Sequence, residues 1–187
     1  MGLPLALKAH TQGNLELAKE QYERTLQNNV TDSIIYQNFG SLLKTLQQFD
    51  YSEKIYLDGL KLYPTHIGIL TNLANLYREF KPVSALQKYK DLLSLHLDQG
   101  KTFRDDKVKA VLIDIVNLTR ELGLCNIAFL LIARSLDVYP DDPVLLTNLM
   151  LLLGSNTFST QYTDLTSFLK PQIESYIDTV DIYVRLQ

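Results

Sequence analysis

Four side chains ending in an amide or carboxylate, Asn38, Asn72, Asp114 and Asn148, recur along 187 residues at separations of 34, 42 and 34. An Asn offers a donor and an acceptor together, so a spaced row of them can hydrogen-bond the backbone of an extended peptide almost regardless of its sequence. Asn75 lies three residues beyond Asn72, and a basic row follows at His10, Lys44, Arg78 and Arg120. Bases in the last turn of a helix are also favoured by the macrodipole, and Glu79 and Glu121 beside the arginines dilute any positive field. Covalent and acid–base chemistry finds less support. His10, His66 and His96 stand at unrelated spacings, and only His96 has a carboxylate, Asp98, close in sequence. No metal-ligand spacing, phosphate-binding glycine loop or nucleophile elbow occurs. Cys125, next to a turn and among Ile127 and Phe129, reads as a small buried hydrophobe before a reactive thiol. The expectation is a chain with no catalytic residues, metal or cofactor of its own.

Composition agrees with a binding protein of ordinary globular type. Hydrophobic residues make up 46% and charged residues 21%, too apolar for a disordered tail. A net charge of −3 gives no basic footprint for a phosphate backbone, so nucleic acid is not an expected partner. The single cysteine cannot close an intramolecular disulfide. The first residues lack the charged start and long apolar run of a secretory signal, and the apolar stretch 144–153 is half a bilayer span. A cytoplasmic chain with no membrane contact is expected.

The elements that would position these residues emerge from self-similarity. A shift of 34 aligns Ala6 with Gly40 and Ala74, Ala18 with Ser52, Tyr22 with Tyr56, and Leu26 with Leu60. Tyr36, Phe39, Gly40 and Leu43 fall on one stripe by three-and-four spacing, and the small residue lets a second helix approach closely. Tyr63-Pro64 and Tyr139-Pro140 end second helices, and Gly13 and Gly123 mark the turns within pairs. Such a two-helix unit cannot bury its apolar face alone and must stack on neighbours.

These slots resemble the tetratricopeptide repeat, whose 34-residue pattern places a large residue, then Leu-Gly, Tyr, Ala, Phe and Pro in order. Tyr36, Phe39, Gly40, Leu43, Ser52, Tyr56 and Pro64 fill it in the second repeat. Leu70, Leu73, Ala74, Tyr77, Ala85 and Tyr89 fill it in the third, with one residue deleted. Leu112, Ile115, Val116, Thr119, Ala128, Ile132 and Pro140 fill the fourth, and Leu146, Leu149 and Leu153 mark a fifth. The resemblance implies an all-α, right-handed superhelical solenoid of helix-turn-helix repeats over 1–154, about four and a half repeats, with an insertion within 94–108. Residues 155–187 are expected to be a loop and a C-terminal helix carrying Ile173, Tyr176, Ile177, Val180 and Val184, which cap the array or link it to a further domain.

In such an array the first helices line a concave groove, and helical angles put repeat positions 2, 5, 6, 9, 12 and 13 on it. Position 6 holds Asn38, Asn72, Asp114 and Asn148; the alternative is that these are merely solvated. The expected function is therefore protein–protein interaction, with a peptide held by Asn38, Asn72, Asp114 and Asn148 and tuned by Lys44, Asn75, Arg78 and Arg120. The tripeptides Asn38-Phe39-Gly40 and Asn72-Leu73-Ala74 are similar to the arm of O-linked N-acetylglucosamine transferases, including SPINDLY-like proteins. That resemblance implies an asparagine ladder for protein substrates, with Asp114 and Pro4 departing from it. The alternative function is thus the substrate-recruiting arm of a glycosyltransferase whose catalytic domain lies outside this chain. Self-association through the last repeat is a third option.

Overall fold

The computed structural model describes residues 2–28 and 32–153. The expected tail elements in 155–187 lie outside the described residues. The described residues form helices in pairs and no strand: α1 (Gly2–Thr11) with α2 (Leu15–Gln27), α3 (Ser33–Thr45) with α4 (Phe49–Leu62), α5 (Ile67–Phe80) with α6 (Pro82–Asp98), α7 (Asp106–Glu121) with α8 (Cys125–Val138), then α9 (Pro143–Leu153). Two compact units divide the chain at Leu95 and His96. In the first, α1 packs on α2, α3 on α4 and α5, and α2 on α3. In the second, α7, α8 and α9 pack on one another.

Helix ends follow from local chemistry. Asp32 and Asp105 accept from the backbone N–H of Ile34 and Lys107, satisfying donors that the first turn leaves open. Asp142 does the same for Val144 and Leu145 at the start of α9, where Pro143 suits the first helical position. His66 is also a cap, its Nδ1 accepting from Ile69 N at 3.2 Å. The turn within the first and fourth pairs carries one left-handed residue, Gly13 (φ 77°) and Gly123 (φ 70°). The same slot in the second repeat is Gln47 at φ 57°, which a side chain occupies at a cost of about 1 kcal/mol or more. Replacing Gln47 by Gly should therefore raise the melting midpoint slightly, by the equivalent of about 0.5–1 kcal/mol; calorimetry checks this. The one-residue deletion in the third repeat removes this slot, and α6 starts directly at Pro82.

Inserted residues lengthen helices as well as the loop. α6 has 17 residues against 14 in α4, and α7 has 16 against 13 in α3. The segment between them is fastened by the Tyr139 hydroxyl, which donates to the Phe103 carbonyl.

Each pair closes around the small residues read from the sequence. A Cβ on Gly40 would overlap the Tyr56 ring, and a Cβ on Gly59 would stand 2.6 Å from that of Tyr36. Ser52, fully buried, donates its hydroxyl to the Gly40 carbonyl at 2.7 Å, so close approach and polar satisfaction come from the same side chain. Tyr22, Tyr56, Tyr89 and Ile132 fill one equivalent slot in four repeats and are all buried. Between the first two pairs, Phe39 stacks on Tyr22 at 5.4 Å and takes an edge contact from Tyr51 at 5.5 Å.

Candidate functional site

Each first helix turns two sides of itself inward and leaves a strip outside. On α3 the outward strip carries Ile34, which is exposed, and Gln37, Asn38, Ser41 and Lys44, which are half-buried. On α5, packed beside it, the strip carries Thr71, Asn72, Asn75 and Arg78. The first unit thus brings Asn38, Lys44, Asn72, Asn75 and Arg78 onto adjoining helices. Asp114, Arg120 and Asn148 belong to the second unit, on α7 and α9.

The amides do not behave alike. Among the described residues, the Asn38 side-chain amide has no hydrogen-bond partner. Asn75 is exposed, and its Oδ1 accepts from the Tyr89 hydroxyl at 2.8 Å, which leaves its NH2 toward solvent. Asn72 turns inward: its Nδ2 donates to the Gln37 carbonyl at 3.4 Å, and it also bonds the Tyr56 hydroxyl, whose pKa burial pushes up to about 12. Asn148 is only 4% exposed. Its Oδ1 accepts from Arg120 Nε at 3.0 Å and its Nδ2 donates to the Val144 carbonyl at 2.9 Å, so it is a tie between α7 and α9 rather than the open rung its spacing suggests. Asp114 is half-buried on α7.

The basic row is likewise drawn into the stack. Lys44 pairs with Glu79 at 2.6 Å, joining α3 to α5, and Arg120 is held by Asn148. Arg78 is half-buried. A half-exposed pair such as Lys44–Glu79 contributes about 1 kcal/mol at most, so its main effect is to neutralise one rung of the strip.

A feature that spacing did not reveal lies at the turn end of α3, α4 and α5, a cleft of about 460 Å³. Phe49 and the 48%-exposed Phe80 form its rim with ring centroids 4.2 Å apart. Inside, Glu53 accepts from the Tyr77 hydroxyl at 2.8 Å and from Lys81 at 2.7 and 2.6 Å. These residues come from two repeats at different slots, so no period links them; the sole sequence signal was two large apolar residues outside the packing pattern. Burial would raise the Glu53 pKa, but the bonds from Lys81 and Tyr77 and the Lys81 charge outweigh it and hold it below the usual value. A depressed carboxylate pKa means stability present above the unfolded value, near pH 4, and lost as pH falls through it toward the folded one. Glu53→Gln should accordingly lower the melting midpoint at pH 7 while flattening its fall below about pH 4.5; melts at a series of pH values read both.

The histidines have structural surroundings. His10 meets the Tyr22 hydroxyl at 3.4 Å, His66 caps α5, and His96 is buried with Nδ1 unbonded. Burial, then the Lys101 charge, holds the His96 pKa below its ordinary value, with Lys107 adding and Asp105 opposing. Asp98 is exposed at the end of α6. Cys125 is half-buried as the first residue of α8. Among the described residues no group of three His, Cys, Asp or Glu could hold a metal ion, and no helix is long and apolar enough to cross a membrane.

Comparison with known proteins places the fold. No protein-family model matches the chain. A stretch of 92 residues is 27% identical to the uncharacterized protein ycf37 of Pyropia yezoensis, covering 49% of this chain and 52% of that protein. The match thus spans about half of that relative's length. Among solved structures, a tetratricopeptide repeat protein from Parabacteroides merdae superposes with a TM-score of 0.68 at 17% identity, over 99% of this chain and 72% of that one. The MamA protein gives 0.68 at 10% identity, over 95% and 92% of the two chains. PilF of Pseudomonas aeruginosa gives 0.54 at 18% identity, over 83% and 77%. At such identities the likeness is one of fold, and the fold is the all-α helix-pair architecture of tetratricopeptide proteins.

Proposed function

We propose that the chain is a protein-interaction module that holds an extended peptide segment on the first-helix strip of α3 and α5. The observation that carries this reading is the pairing of Asn38, whose amide has no partner among the described residues, with the exposed Asn75 on the adjoining helix. Two amides so placed offer donors and acceptors to a peptide backbone, while the exposed Ile34 offers apolar contact beside them. Helix-pair arrays use surfaces of this kind for binding, and the fold likeness supports the role. Asn72 and Asn148 are assigned to cohesion instead, because their amides are engaged, and Lys44 and Arg120 contribute through neutralised or shared charge. The arm of a larger glycosyltransferase remains supported by the tripeptides at 38–40 and 72–74 alone.

The test is a peptide selected from a random library on the wild-type chain, titrated by fluorescence anisotropy. The double variant Asn38→Ala, Asn75→Asp, which keeps an acceptor for the Tyr89 hydroxyl, should weaken it by roughly 10- to 100-fold, since each lost hydrogen bond is worth about 1 kcal/mol, and leave melting near wild type. Asn148→Ala should do the reverse, lowering stability by about 1–3 kcal/mol because Arg120 Nε loses its partner, with affinity retained. Full affinity in the double variant would defeat the reading.

A further inference from the structure

The cleft at the turn end of α3, α4 and α5 stands apart from the amide strip, and peptide binding on that strip leaves it unused. All of its walls belong to the first unit. Its volume of about 460 Å³ falls within the range of about 300–1,000 Å³ common among ligand pockets. Phe80 stands 48% exposed on its rim against Phe49, whereas Tyr22, Phe39 and Tyr56 are drawn fully into the stack.

The charges around the cleft are unevenly answered. Lys81 is bound to both oxygens of Glu53 at 2.7 and 2.6 Å, and Lys19, reaching from α2, is bound to Gln48 at 3.0 Å. Asp50 lies exposed in the first turn of α4, and among the described residues its carboxylate has no hydrogen bond or ion pair. The positive end of α4 supplies only about half a charge against it, so the wall at Asp50 stays negative. Glu23 adds to this from α2: burial first, and then the charge of this carboxylate, raise the pKa of Tyr51 in the cleft wall. Aromatic faces such as those of Phe49 and Phe80 carry the negative side of the ring quadrupole as well.

We infer that the cleft is a second binding site, which takes an arginine side chain of a partner protein, its guanidinium set between the Phe80 ring and the Asp50 carboxylate. A guanidinium is planar and weakly hydrated, stacks on aromatic faces and meets a carboxylate through two parallel N–H groups; a lysine ammonium is a compact, strongly hydrated point charge. An anion fits poorly, because Lys81 is engaged by Glu53 and Asp50 would repel it. A free amino acid fits poorly too, since Lys81 is the cation lining the cleft and is not open to an α-carboxylate. The arginine therefore enters as part of a chain.

Blocked tripeptides titrated into the full chain at low salt test this, with the Phe49 and Phe80 ring resonances as the readout. Acetyl-Gly-Arg-Gly-amide should give saturable shifts. The lysine peptide should bind at least threefold more weakly, and the citrulline peptide, a neutral isostere, at least tenfold more weakly. Asp50→Asn and Phe80→Leu should each weaken the arginine peptide by at least fivefold with melting near wild type, both positions being exposed. Asn38→Ala should leave its affinity unchanged, which separates the cleft from the strip. Absence of saturable shifts, equal affinity for the arginine peptide and either comparison peptide, or undiminished affinity in either cleft variant would overturn the proposal. So would tighter binding of inorganic phosphate or of free L-arginine, which would assign the cleft to an anion or to a free amino acid.

Discussion

Phe39→Ala should lower the stability of the chain by about 3–5 kcal/mol, on the order of 10 °C in melting midpoint, and broaden the transition. Phe39 is fully buried where three elements meet: it stacks on Tyr22 of α2 and receives the Tyr51 edge from α4. Truncation removes a ring's transfer energy and leaves a cavity that two further rings cannot easily fill, because Tyr22 is bound to His10 and Tyr51 is set by α4. Helix pairs are stable only through their neighbours, so the loss concerns the junction of repeats one and two and should appear as early exchange of α1 and α2 amides. Phe39→Leu keeps most of the volume and should cost about 1–1.5 kcal/mol. Denaturant melts of the two variants, followed by circular dichroism, make the comparison; equal and small losses would show that the ring is not the keystone of this junction.

Gly40→Val should be nearly as damaging, at about 3 kcal/mol or more. On helix propensity alone, replacing a mid-helix glycine gains a few tenths of a kcal/mol, so the sign is decided by packing. A Cβ at this position overlaps the Tyr56 ring, and the ring cannot retreat because it is 1% exposed and hydrogen-bonded toward Asn72. α3 and α4 must separate, which also pulls Ser52 from the Gly40 carbonyl and leaves a buried acceptor unmet. Adding Tyr56→Leu to Gly40→Val should recover part of the loss, a rescue that a purely conformational penalty at residue 40 would not show. Thermal melts of the single and double variants provide the check.

Both expectations rest on slots legible in the sequence itself. Small residues at 40, 52 and 74, rings at 22, 56 and 89, and a turn residue at 13 and 123 each solve a local problem of helix approach or reversal, and local problems leave local marks. What side chains do on the outward strip was less legible. Asn38, Asn72 and Asn148 share one slot and one residue type, yet one has no side-chain partner among the described residues, one leans on the Gln37 carbonyl and one is enclosed by Arg120 and the Val144 carbonyl. Their partners lie one repeat or one helical turn away and carry no periodic signature. Gln47 shows the same limit: the backbone needs a left-handed residue there, and a glutamine takes the position without a glycine to announce it. The Phe49–Phe80 rim joins slots from two repeats, so no period announces it.

If a peptide binds on the first-helix strip of α3 and α5, the asparagine side chains there must sense it. The most direct measurement is a nuclear magnetic resonance titration of the labelled chain with a selected peptide, following side-chain NH2 resonances of asparagine. The Asn38 and Asn75 signals should shift together with the peptide's saturation curve, while those of Asn148, locked between Arg120 and Val144, stay in place. Saturating shifts confined to residues around Phe49, Phe80 and Lys81, with Asn38 and Asn75 unmoved, would contradict binding on the strip.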